Sequence, residues 1–229
     1  MNRARSATSV STSLKTRSTP ARFQVRRART VTRPVKLIFV GRLVPYKGAD
    51  MLLHAAAPLI RDGSVTVDIL GDGSQMPQLR EIVAAEKLGV GVRFVGRVKH
   101  EELQSWLANS DLFTFPSVGE FGGAVVLEAM AVGTVPVVVD YGGPSELVTS
   151  TTGFRITIGS RAKIITELRQ LLAELVADPR RIDACSEPTR QRVFSNFTWA
   201  AKARQTVEVY RWLLGQSHDK PYWPAPLPD

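Results

Sequence analysis

Two glutamates stand eight residues apart in the run Glu120-Phe-Gly-Gly-Ala-Val-Val-Leu-Glu128. Short apolar stretches of strand length flank this run, Asp111–Phe115 before it and Pro136–Val139 after it, so it reads as a strand–loop–helix unit. Glu120 falls in the loop and Glu128 more than a turn inside the helix, and spacing alone therefore gives no adjacent acid–base dyad. The two carboxylates can instead flank one extended ligand. Gly122 and Gly123 let backbone approach that ligand closely, and the helix that follows offers unpaired N–H groups and a positive dipole end. This is chemistry for an anion. A sugar nucleotide matches the set, with phosphates at the helix start, one carboxylate on sugar hydroxyls and the other on ribose hydroxyls. The same spacing also suits an ordinary first-turn acid on the helix dipole and a solvated helix glutamate.

A second group of candidates lies in the first turn, Gly41-Arg42-Leu-Val-Pro-Tyr-Lys47-Gly48. It matches neither G-x-G-x-x-G nor G-x-x-x-x-G-K-[ST], which removes simple dinucleotide and P-loop readings. It does supply two cations. Arg42 can grip a phosphate with a bidentate fork and Lys47 adds a mobile point charge; both also fit a solvated turn. Gly71-Asp-Gly73 is a weaker signal, since a tight turn uses glycine with or without a ligand.

Holding these groups together requires an alternation of strands and helices. Val35–Val40, Val65–Leu70, Val92–Val95, Asp111–Phe115 and Val135–Val139 read as short buried strands, with a last one around 153–156. Helices are expected from about 49 to 60, up to about 87, over 100–108, after Gly123, near Glu146, over 161–176, and as an amphipathic closing segment over 198–214. Asp50 sits in the first turn of the first helix, and Pro58 is expected to end or kink it. Five or six strands alternating with helices predict an α/β fold, a single Rossmann-like doubly wound parallel sheet. Ligands of such sheets bind beyond the carboxyl ends of the strands, where all these turns fall, Gly96-Arg97-Val98 included.

The 229 residues, 44% hydrophobic and 22% charged, suit a globular chain able to bury a core. No apolar run reaches membrane-spanning length. A single cysteine, Cys185, excludes an internal disulfide and a cysteine-rich metal site, in keeping with a reducing, cytoplasmic setting. Residues 1–36 carry ten Lys or Arg and no acid, so removing them from the formal +9 leaves −1 for the remainder. The globular part is near neutral, which speaks against nucleic-acid binding. Residues 1–34 form a basic, Ser/Thr-rich tail expected to be disordered, 35–215 the folded domain, and 216–229 a Pro/Trp-containing tail. The acid-free start also matches an organelle transit peptide or an arm for peripheral contact with an anionic membrane.

The ordered set Gly41-Arg42-Leu43 with Lys47-Gly48, Gly71-Asp-Gly73, Val95-Gly96, Pro116-Ser117, Glu120-Phe-Gly-Gly-Ala-Val-Val-Leu-Glu128-Ala-Met-Ala and Gly142-Gly-Pro-Ser-Glu146 resembles the donor-binding, C-terminal half of retaining GT-B glycosyltransferases of group 1, or family 4. The resemblance implies one half of a GT-B fold and a nucleoside-diphosphate sugar as donor substrate. It implies that Arg42 and Lys47 hold the diphosphate, that Glu120 contacts the transferred sugar and that Glu128 contacts the ribose. Backbone from Phe121 through Gly122, Gly123 and Ala124 to Val125 would touch sugar and phosphate, and Arg97 and Val98 would face the base. Gly41, Gly71 and Gly73 complete the expected substrate-binding set. No metal and no nicotinamide cofactor is implied. As the bond to the diphosphate breaks, Arg42, Lys47 and the helix end would stabilise the growing charge while Glu120 orients the sugar. Full-length members also carry an N-terminal acceptor-binding domain, which residues 1–34 are too short to encode. The expectation is half an enzyme: a fragment, a donor subunit that needs a partner, or a non-catalytic nucleotide-sugar-binding module, with a sugar-nucleotide epimerase as a more distant reading.

Overall fold

The computed structural model describes residues 30–221. Six strands alternate with helices in the order β1 (Val35–Val40), α1 (Ala49–Arg61), β2 (Val65–Leu70), α2 (Met76–Ala85), β3 (Val92–Gly96), α3 (His100–Ala108), β4 (Leu112–Phe115), α4 (Ala124–Ala131), β5 (Val135–Val139), α5 (Gly142–Leu147) and β6 (Phe154–Ile156). Three helices follow: α6 (Arg161–Ala177), α7 (Arg180–Asn196) and α8 (Trp199–Leu213).

All pairings are parallel and the sheet order is β3-β2-β1-β4-β5-β6. The chain steps outward from β1 to β3, then returns to the other side of β1 with β4. The loops leaving β1 and β4 therefore lie side by side at the carboxyl edge of the sheet, at the switch point where open α/β sheets take ligands. Helices cover both faces, and the inner strands are mostly apolar: every residue of β4 and β5 is buried, Thr114 being the one polar side chain among them. β3, at an edge, is only partly buried.

Pro58 lies inside α1 and does not end it. Its ring is exposed and the helix runs three residues further, to Arg61. Asp50, in the first turn, is buried and pairs with Arg161 at the start of α6, which packs along α1.

α7 is an element that the sequence pattern did not indicate. Its outward face is charged and Pro188 interrupts the run, which hides a buried row at helical spacing, Ile182, Cys185, Thr189 and Val193. This row packs α7 against α4. Ser186 Oγ donates to Gly133 O at 2.7 Å, and Arg192 Nε donates to Leu147 O at 2.8 Å.

The domain also starts earlier than residue 35. Val31 is 4% exposed within the core, its N–H donates to the Asp183 carboxylate at 3.2 Å, and Arg33 Nη2 donates to Val176 O at 3.2 Å. The expectations for residues 1–29 and 222–229 lie outside the described residues.

α8 is capped by Thr198, whose hydroxyl accepts from Ala201 N–H at 3.1 Å. It packs on α7. Its outer side leaves Trp199 63%, Tyr210 60%, Leu213 65% and Leu214 71% exposed. Among the described residues no helix is long and apolar enough to cross a membrane, and no three metal-ligating side chains cluster.

Candidate functional site

The loop after β1 rests on the loop after β2, and glycine makes that contact possible in space. Gly71 has φ of +131°, and a Cβ there would stand 1.9 Å from Gly41 O; one at Gly73 would stand 2.3 Å from Leu43 O. Leu43 N–H donates to Asp72 O at 2.9 Å, and Gly41 N–H to Leu70 O at 3.0 Å. Gly71 and Gly73 thus have a packing reason that is independent of any ligand. They set the height of the turn that carries Arg42.

The same turn is stitched to the loop after β4. Pro45–Lys47 forms a 3-10 turn closed by Gly48 at φ 78°, where a Cβ would come within 2.5 Å of Pro116 O. Tyr46 O accepts from Val118 N–H at 2.9 Å and from Ser117 Oγ at 3.2 Å. The two walls of the crevice are therefore one hydrogen-bonded unit.

Inside it, Lys47 Nζ forms an ion pair with the Glu120 carboxylate. The ammonium also sits 5.2 Å from the centroid of the Phe115 ring and 5.5 Å from that of Tyr46. The Lys47 hydrogen bond is the main reason that the Glu120 carboxyl is held below its ordinary value, with backbone N–H groups of Gly123 and Gly122 adding to it. Glu120 Oε1 accepts from Gly123 N–H at 3.4 Å, at the start of α4, where Gly123 at φ 64° provides no capping side chain. The helix-terminus acid foreseen from sequence is thus present, with the Lys47 ammonium beside it.

Arg42 is exposed, and its guanidinium donates one hydrogen bond, from Nη2 to Tyr46 Oη at 3.0 Å. Its other donors have no partner among the described residues. The start of α5 presses on the same loop: a Cβ at Gly143 would lie 1.9 Å from Phe121 O, and one at Gly142 would lie 2.6 Å from Glu120 O. Gly122, in contrast, has nothing within 4 Å of its Cβ position, and Phe121 beside it is 98% exposed. Ala124 is exposed and Val125 half-buried.

Arg42, Lys47, Glu120 and Gly123 are thus brought to one crevice, with Gly41, Gly71 and Gly73 beneath the turn. Glu128 lies in the second turn of α4, half-buried and without a hydrogen-bond or ion-pair partner among the described residues. Burial raises its carboxyl above the ordinary value, and His100, at the start of α3, pulls more weakly the other way. Arg97, exposed, and Val98, half-buried, follow β3 on the outer side of β2 and make no hydrogen bond or ion pair to that group. Sequence reasoning missed Tyr46 and the packing role of Gly142 and Gly143. The one available signal was that Tyr46 lies between the two cations, four residues after Arg42.

The model of the family described as "Glycosyl transferases group 1" matches residues 34–174. A glycogen synthase of Mycobacterium tuberculosis is 35% identical over 191 residues, covering 82% of this chain and 44% of that protein. A D-inositol 3-phosphate glycosyltransferase of Thermobispora bispora is 32% identical over 193 residues, covering 80% of this chain and 44% of that protein. This chain spans a little under half the length of these curated relatives. Among solved structures, Anabaena Alr3699/HepE in complex with UDP and glucose superposes with a TM-score of 0.66 at 25% identity, covering 76% of this chain and 47% of that one. The sheet is accordingly a Rossmann-like half of a GT-B architecture, and the chain belongs to the group 1 glycosyltransferases.

Proposed function

We propose that this chain is the donor-binding half of a retaining glycosyltransferase and takes a nucleoside-diphosphate sugar in the crevice between the loops after β1 and β4. The observation that carries the reading is the convergence of Lys47, Glu120 and the uncapped start of α4 at the sheet's switch point, with Arg42 on the adjoining turn. A diphosphate placed there meets two cations and a helix N-terminus. As it departs, its growing charge is stabilised by groups already in position. Glu120 faces the transferred sugar and Glu128 the ribose, while Arg97 and Val98 face the base. These residues meet the diphosphate's charge without calling for a metal or a redox cofactor. The anomeric configuration is retained when the acceptor attacks from the face that the diphosphate leaves.

The acceptor, in this reading, is held by an N-terminal domain or partner subunit. Relatives of which the match covers only 44% and the apolar row left open on α8 both support it. The setting is cytoplasmic, with the basic N-terminal arm available for an anionic membrane surface. A module that binds the nucleotide sugar without catalysis is the second reading, and the same crevice serves both.

Calorimetric titration with UDP, GDP and ADP tests donor binding. At least one should bind, and Arg42→Ala should weaken it about tenfold or more, the scale of one charge-assisted contact. Equal affinity in a folded Arg42→Ala variant would return Arg42 to a solvated turn residue.

A further inference from the structure

We infer that Tyr46 is a positioning residue for the diphosphate grip, an inference that rests on the donor-binding reading above. Its phenol accepts from Arg42 Nη2 at 3.0 Å, its ring lies 5.5 Å from Lys47 Nζ, and its carbonyl receives Val118 N–H and Ser117 Oγ from the opposite wall. One residue thus touches both cations and the loop that carries Glu120. Its ring is itself held from below, since a Cβ at Gly119 would fall 2.8 Å from Tyr46 Cδ2. The turn backbone adds a second restraint, because Tyr46 is the middle residue of the 3-10 turn Pro45–Lys47.

The consequence is entropic. An exposed arginine loses rotamer freedom when it closes on a phosphate, and that loss subtracts from affinity. The phenol restricts Arg42 beforehand while using only one of the guanidinium's five donors. Nη2 keeps its second hydrogen, so one fork of the guanidinium, with Nε or with Nη1, remains open for a bidentate contact. Tyr46 need not touch the ligand to raise its affinity; it acts through Arg42.

The test is a double-mutant cycle on nucleoside diphosphate affinity. Tyr46→Phe keeps the ring, the cation contact with Lys47 and every backbone bond, and removes only the phenol, so it should fold with an unchanged melting midpoint. It should weaken binding about three- to tenfold, the scale of one net hydrogen bond. In an Arg42→Ala background the same change should have no further effect. A merely structural role for Tyr46 would give the same loss in both backgrounds and would overturn the inference, as would wild-type affinity in Tyr46→Phe while Arg42→Ala binds weakly. If the unmutated chain binds none of the three nucleotides, the donor-binding reading itself fails, an outcome distinct from either.

Discussion

Glu120 and Glu128 belong to one loop–helix unit, yet their surroundings move their carboxyls in opposite directions, Lys47 holding the first down and burial pushing the second up. The signs lead to opposite pH dependences. A depressed carboxyl contributes stability above the ordinary carboxylate range and loses it as pH falls through its folded value. A raised one favours the fold below that range and loses the contribution as pH rises through its folded value. Ionised Glu128 is therefore a cost at neutral pH. In ligand-free protein Glu128→Gln should raise the melting midpoint at about pH 7, and the gain should close as pH falls to about 4, where the wild-type carboxyl is itself largely neutral. Melting curves across that range decide it. A midpoint unchanged or lowered at neutral pH would mean that burial is not what governs Glu128.

At the scale of elements, the site depends on loops that touch backbone to backbone. The start of α5 bears on the loop before α4 so closely that the added methyl in Gly143→Ala would meet Phe121 O at 1.9 Å and Phe121 C at 2.8 Å. Backbone cannot rotate away as a side chain can, so this variant should lose about 1–3 kcal/mol of stability and displace Glu120. Gly122→Ala is the control, because its Cβ position is empty to 4 Å. It should change stability by less than about 0.5 kcal/mol. If it also weakens nucleotide-sugar binding, the obstructed partner is the ligand, since no protein atom beyond its chain neighbours lies within 4 Å. Denaturant unfolding of the two variants compares them directly, and equal stability would contradict the close approach at Gly143.

For the whole molecule, the question is transfer. Catalysis between two substrates needs the acceptor hydroxyl held against the anomeric carbon, and such positioning accounts for about 7–11 kcal/mol of barrier in favourable cases. On the half-enzyme reading, the purified chain should bind donors but transfer negligibly to simple acceptors, and transfer should appear when an N-terminal partner domain is supplied. Product analysis by mass spectrometry with and without that domain is the measurement. Robust transfer by this chain alone, abolished by Glu120→Ala, would show that it completes the cleft by itself.

Much of this was open to reading before any coordinates. Strand length and glycine-punctuated turns specify the doubly wound sheet, because a parallel strand buried on both faces reads as a nearly continuous apolar run, as Val135–Val139 does. The same local chemistry marked Arg42, Lys47, Glu120 and Gly123, since turns at strand ends carry their own glycines and charges. α7 escaped because a helix lying on other helices needs only a sparse apolar row, and its many charges and Pro188 outweigh four buried positions in a local window. Contacts between segments distant in sequence were decided by tertiary structure alone. Asp50 with Arg161, Tyr46 with the loop after β4, and Lys47 with Glu120 are separated by tens of residues. No periodicity within one segment encodes them; they arise only when the sheet order places β1 beside β4 and packing lays α6 along α1.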